Sequence, residues 1–159
     1  MKKSLFIIGF CVLFALQSCN NASVKKKTDT IITNSAKSEA IPYSVAQNYF
    51  VKNTYKNTEI QALKITSQQD FDTYFGAATT MSENGKATPI NWEKSNVIAV
   101  IVPETNLSTV LSAVNLSQKN KTIVLNYQIT EGAKQTFTTK PILLLVIDKK
   151  WNGEVILEK

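Results

Sequence analysis

The side chains able to do chemistry in this chain are few. Histidine is absent, the only thiols are Cys11 and Cys19, and all 18 basic residues are lysines. The chain therefore lacks imidazole, the commonest general base and metal ligand. A Ser–Lys nucleophile is formally open, but the single Ser-x-x-Lys spacing, Ser23 to Lys26, falls in a polar stretch. Asp70 and Asp72 could be read as a carboxylate pair. Residues two apart do not share a helix face, and acids at a helix start are favoured by the macrodipole, so capping is the better account. Gly76, Gly85, Gly132 and Gly153 are dispersed, and no phosphate loop follows a strand. The 12 acids are too scattered for an evident Ca²⁺ loop. The expectation is a non-enzyme with no catalytic residue, metal or cofactor. A carboxylate-based hydrolase stays open, because acids distant in sequence can meet in a fold.

Cys19 is the exception. Lys2 and Lys3 precede a run of twelve mostly apolar residues, 5–16. Such a run has signal-peptide length and is too short to span a bilayer, which takes about 20 residues. It closes on Leu16-Gln17-Ser18-Cys19, which resembles the lipobox of bacterial lipoproteins. That resemblance implies a diacylglycerol on the Cys19 sulfur, cleavage between Ser18 and Cys19, and acylation of the new amino terminus. More than one acyl chain gives stable anchoring, at about 0.8 kcal/mol per buried CH₂. Asn20 follows where an Asp would, in that class, favour the inner membrane. The resemblance thus points to the outer membrane.

Removal of residues 1–18 would leave 141 residues, enough for one domain with a core. Cys19 would then be the sole cysteine, so no disulfide is expected. The net charge of +6 is carried largely by Lys2, Lys3 and Lys25 to Lys27, while residues 43–159 hold 12 lysines against 10 acids. With a near-neutral body and no arginine for bidentate base contacts, nucleic acid is not an expected partner. Residues 19–42 are rich in Asn, Ser, Thr, Lys and Ala, interrupted by Ile31 and Ile32. Such a segment buries too little surface to offset its ordering entropy. The expected organisation is a signal peptide over 1–18, a flexible tether over 19–42 and one domain over 43–159, with Pro42 marking the boundary.

The elements of that domain follow from periodicity. Residues 49–55 and 59–65 read as strands, joined at Asn57-Thr58 as a hairpin. Ser67 followed by Asp70 is close to a capping box. Phe71, Tyr74, Phe75 and Ala78 at i, i+3, i+4 and i+7 give one apolar helix face. Residues 79–89 read as a polar loop. Residues 97–102 and 142–147 are unbroken apolar runs, expected as strands covered on both faces. Residues 110–117 alternate loosely, and 123–130 cleanly. Asn120-Lys121, Glu131-Gly132-Ala133 and Trp151-Asn152-Gly153 read as turns, the last as an Asn-Gly hairpin leading into a strand at 154–158. The predicted fold is α+β: about seven strands in a mainly antiparallel curved sheet or open barrel, with one packed helix.

From Ile60 to Glu158 the order of pieces resembles the C-terminal domain of the protease complex subunit PrcB family. The matching pieces are Lys64-Ile65-Thr66-Ser67, the aromatic helix end from Phe71 to Phe75, Ile90-Asn91-Trp92, the apolar strand Val97 to Val102, and Lys140-Pro141-Ile142-Leu143. Asn91-Trp92 stands where that family has Asp-Phe. Pro103-Glu104-Thr105-Asn106-Leu107 replaces its Gly-rich loop. The resemblance implies a non-catalytic domain that attaches to another envelope protein, such as a protease. Candidate contacts are Met81 and Asn84 in the loop 79–89, Glu104 in the tip 103–108 and Trp151 in the tip 149–153. Trp151 has the alternative of packing against its own hairpin. A small-ligand pocket between helix and sheet is the competing expectation.

Overall fold

The computed structural model describes residues 37–78 and 85–159. Among these residues, ten strands and one helix run in the order β1 (Glu39–Ala40), β2 (Tyr43–Val45), β3 (Tyr49–Val51), β4 (Gln61–Ile65), α1 (Gln68–Tyr74), β5 (Phe75–Ala77), β6 (Ser95–Ile101), β7 (Thr105–Lys119), β8 (Thr122–Thr139), β9 (Ile142–Asp148) and β10 (Glu154–Glu158). They form a sheet β2-β9-β6-β4, a second sheet β1-β7-β8-β10 and a two-stranded ribbon β3-β5. The fold is therefore mostly β with one short helix. The expected α+β class, mainly antiparallel sheet with one helix, holds. The strands close no barrel among the described residues, and they are divided among three sheets instead of the expected single sheet or open barrel of about seven strands.

The apolar runs explain the stacking. Along β6, Val97 to Ile101 are all buried. Ile98 and Val100 pack with Leu143, Leu145 and Ile147 of β9 against Leu111, Leu116, Ile123, Leu125 and Tyr127 of the second sheet. Val97, Ala99 and Ile101 face the other way, onto Phe71, Phe75, Val51 and Ile65. A strand apolar on both parities needs a layer on each face, and β6 and β9 have them. Each fully buried aliphatic side chain of this kind contributes roughly 1.5–3 kcal/mol.

The helix starts where its cap predicts. Ser67 Oγ accepts from the Asp70 amide at 3.1 Å and donates to Asp70 Oδ2 at 2.8 Å. The helix ends before Phe75, however, and Phe75–Ala77 is a strand. Ala78 is consequently not on the helix face. Phe71 and Phe75 still meet, 4.9 Å between ring centroids.

Several expected pairings are corrected. The hairpin of 49–55 with 59–65 does not form: β3 pairs with β5, and β4 pairs with β6. Trp151-Asn152-Gly153 is not a hairpin turn, because β9 and β10 belong to different sheets and β10 lies parallel to β8. The connection carries the chain across the core, and Trp151 drops into it. Glu131-Gly132-Ala133 is not a turn but part of β8. There a step from Leu107 to Thr109 in β7 faces a longer step, from Lys134 to Glu131, in β8. A glycine inside a strand often marks such a bulge. The loose alternation at 110–117 has the same cause. An irregularity between Ala113 and Asn115 leaves Val114 as an extra residue, so Leu111 and Leu116, five apart, both point inward. Finally, β1 pairs with β7 and Ile41 is buried, its amide bonded to the Leu116 carbonyl at 2.8 Å. Pro42 thus marks a crossing between sheets, and ordered structure reaches back ahead of it.

The corner where β6 ends and β9 begins positions the candidate site. Ile101 pairs with Ile142, the Val102 amide bonds the Pro141 carbonyl at 3.0 Å, and Thr105 pairs with Thr139. Two adjacent strands leave one sheet together and enter the other together. The two irregular stretches between Thr105 and Thr109 supply the bend.

Candidate functional site

An open cleft of about 340 Å³ lies at this corner, lined by Tyr49, Phe50, Val51 and Asn53 on one side and Glu104, Thr138, Thr139 and Lys140 on the other. One wall is β3. Its parity places Val51 in the core and half-buries Tyr49, while Phe50 turns outward and is 49% exposed. Tyr49 is held by an edge-to-face contact with Phe71 at 5.0 Å and by donating to the Thr88 carbonyl at 2.6 Å. Burial, and then the Asp72 carboxylate, push its phenol above the ordinary range. The Thr88 amide in turn bonds the Gln47 carbonyl at 3.1 Å, which ties the described part of the following loop to the start of β3.

The other wall is the corner itself. Glu104 accepts a hydrogen bond from the Thr138 hydroxyl. That bond holds its carboxyl below the usual carboxylate range, slight burial opposes the shift, and the charges of Lys56 and Lys140 reinforce it. The Lys140 ammonium donates to the Tyr55 carbonyl. Asn57 Nδ2 donates to the Glu59 carbonyl at 2.9 Å and to the Ile101 carbonyl at 3.3 Å, fastening the same connection to the end of β6. Chemically, the cleft offers an aromatic face, an ionised carboxylate, an ammonium group and hydroxyls.

It also offers main-chain groups. The Lys52 amide bonds the Tyr74 carbonyl at 2.8 Å, and the Ala78 amide bonds the Asn48 carbonyl at 2.9 Å. In an antiparallel pair the bonded residues alternate, so positions 48, 50 and 52 face β5. The N–H and C=O of Tyr49 and Val51 face the opposite way, along the strand edge that borders the cleft. Among the described residues they pair with no other strand.

Of the residues predicted from sequence, Glu104 lies in this cleft. Trp151 does not: it is 7% exposed and packed in the core between the two sheets, with Lys150 over its ring at 4.9 Å. The alternative of packing against its own hairpin is not met either, because β9 and β10 form no hairpin and Trp151 packs between the sheets instead. The tips 103–108 and 149–153 cannot form one contact face. They adjoin opposite ends of the β6–β9 pair, Ile101↔Ile142 and Ser95↔Asp148, about 20 Å apart at ~3.3 Å per residue. Met81, Asn84, Ser18 and Cys19 lie outside the described residues. Asp70 and Asp72 serve the helix, Asp72 Oδ1 accepting from Gln68 Nε2 at 2.7 Å. Sequence reasoning missed Phe50, Asn53, Thr138 and Lys140. The available signal was Phe50, an aromatic at the outward parity between Tyr49 and Val51. Compared with known proteins, the chain matches no family model, no curated protein and no solved structure.

Proposed function

We propose that this chain is a lipid-anchored cell-envelope protein whose folded part is a non-catalytic protein-interaction domain. The lipobox-like Leu16-Gln17-Ser18-Cys19 supports the anchor, and Asn20 supports an outer-membrane destination. The observation that carries the interaction half is the corner cleft. Phe50 stands half exposed beside an unpaired strand edge, and Phe137, the sequence neighbour of Thr138, is 57% exposed. Exposed aromatics beside polar groups are the usual anchors of protein contacts. An envelope protease is the partner that the PrcB resemblance implies.

Two measurements test this. Cys19→Ala should abolish incorporation of labelled palmitate and release the protein from the detergent phase. Retained label sinks the anchor. A photo-reactive phenylalanine analogue at position 50, in intact envelopes, should give one discrete protein adduct. Adducts to lipid alone, or none, count against an interaction domain. A small-ligand reading draws on the cleft volume, which lies at the low end of ligand pockets. Reproducible thermal stabilisation by one ligand class would favour it.

A further inference from the structure

We propose that the cleft captures an extended segment of the partner protein by strand addition to β3, an inference that rests on the interaction reading above. Strand addition requires a sheet edge with unpaired donors and acceptors, room beside it and side-chain pockets of alternate parity. The edge is present: the main-chain groups of Tyr49 and Val51 point away from β5, and no other strand among the described residues pairs with them. The room is the cleft, whose far wall is the end of β8. Among the described residues that wall is itself a strand edge, since β10 pairs with β8 from Thr122 to Asn126 and not beyond. A segment of three extended residues spans about 10 Å, which matches the three residues of β3.

Side chains set what kind of segment fits. Between Tyr49 and Val51, Phe50 stands on the outward sheet face, its ring leaning over β5 onto Gly76 with half its surface free. A residue of the incoming strand at the matching parity would share that sheet face with Phe50, across β3 from Gly76, at the spacing of cross-strand neighbours. Around the cleft, Lys56 and Lys140 outnumber Glu104, whose carboxylate is already bonded by Thr138. The rim charge therefore favours a segment that carries an acidic side chain, and β-branched residues suit the extended conformation. A fixed small molecule would leave the edge groups of Tyr49 and Val51 unmatched in pairs. A strand satisfies them in register.

The test uses the full chain in detergent, ¹⁵N-labelled. The probes are heptapeptides of alternating Thr, Val and Ile with one Asp, selected from a display library against the protein and then made with blocked ends. A selected peptide should slow amide exchange of Tyr49 and Val51 by at least about tenfold, leaving Phe50 and Lys52, already bonded to β5, unchanged. N-methylation of alternate peptide amides should abolish binding at one parity and spare it at the other. Val51→Pro removes an edge N–H and should abolish binding. If that variant does not fold, the N-methyl series asks the same question from the peptide side. Failure to select any peptide overturns strand addition, as does unchanged exchange at Tyr49 and Val51, or tolerance of N-methylation at both parities. A protein adduct from position 50 in the face of any such result would leave the interaction reading standing. Loss of both would remove both.

Discussion

The ring of Phe50 lies directly on Gly76. A Cβ at position 76 would stand 2.6 Å from Phe50 Cζ and 2.9 Å from its Cε1. The two residues face each other across the β3–β5 register, so the absent side chain is the seat of the ring. Gly76→Ala should displace Phe50 toward solvent. The ring is the free end of a side chain and can move, and the unfolded chain loses entropy with alanine. Stability should therefore change by less than about 1 kcal/mol. Urea unfolding gives the stability, and the ring-current shifts at residue 76 report the displaced ring. Unmoved shifts would show that the seat is not used.

Gly153→Ala should behave in the opposite way. A Cβ there would meet the Lys121 carbonyl oxygen at 2.2 Å and its carbon at 2.7 Å. Both are backbone atoms of the β7–β8 turn, where Asn120 already holds a positive φ of 58°. Relief requires the start of β10 to withdraw, with loss of the Glu154-to-Lys121 bond of 3.1 Å. The expected loss is about 2 kcal/mol or more. It should be accompanied by faster amide exchange across β10, read by hydrogen-exchange mass spectrometry.

Trp151→Ala should cost about 3–5 kcal/mol, the usual range for removing a buried indole. The residue is 7% exposed and sits with Ile41, Leu116 and Ile123 in the core between the sheets. Denaturant unfolding measures it. A loss below about 1 kcal/mol would indicate a surface residue instead.

Thr138→Val should raise the Glu104 carboxyl toward its ordinary value of 4.5, because the Thr138 hydrogen bond is the largest cause of the lowering. A carboxyl lowered in the folded state stabilises the fold above its unfolded pKa, and that contribution is lost as pH falls through the folded pKa. The corner should loosen in that acid window in the wild type. In the variant this pH-dependent part should shrink, because the folded and unfolded pKa values converge. The ¹³C titration of the Glu104 carboxyl follows it, and an unchanged midpoint in the variant would assign the lowering to the lysines.

The elements legible in the sequence are those governed by near neighbours. The Ser67–Asp70 cap is a contact three residues apart. The apolar runs of β6 and β9 announce two covered faces without saying what covers them. The alternation of Ile123, Leu125 and Tyr127 gives an inward parity at once, and all three are buried. The misread strand pairings share one cause: a short connection need not join paired strands. At Trp151-Asn152-Gly153 the Asn-Gly pair suggests a turn, but the chain turns earlier, at Lys149-Lys150, with the Trp151 amide on the Asp148 carbonyl at 3.1 Å, and Val155 and Leu157 pack over the core from β10 beside β8.

The candidate site shows the same division. Glu104 is legible as a polar residue at a tip beyond an apolar strand. Its partners Thr138, 34 residues later, and Lys140 are not, because only the joint passage of β6–β7 and β8–β9 from sheet to sheet brings them beside it. Local hydrogen bonding and side-chain periodicity are properties of a short stretch, so composition and spacing alone determined the helix cap and the buried strands. The choice of strand partner, the bulge at Val114 and the free edge of β3 depend on the total surface buried by segments far apart. That sum exists only once the sheets have stacked, and so only the tertiary structure decided them.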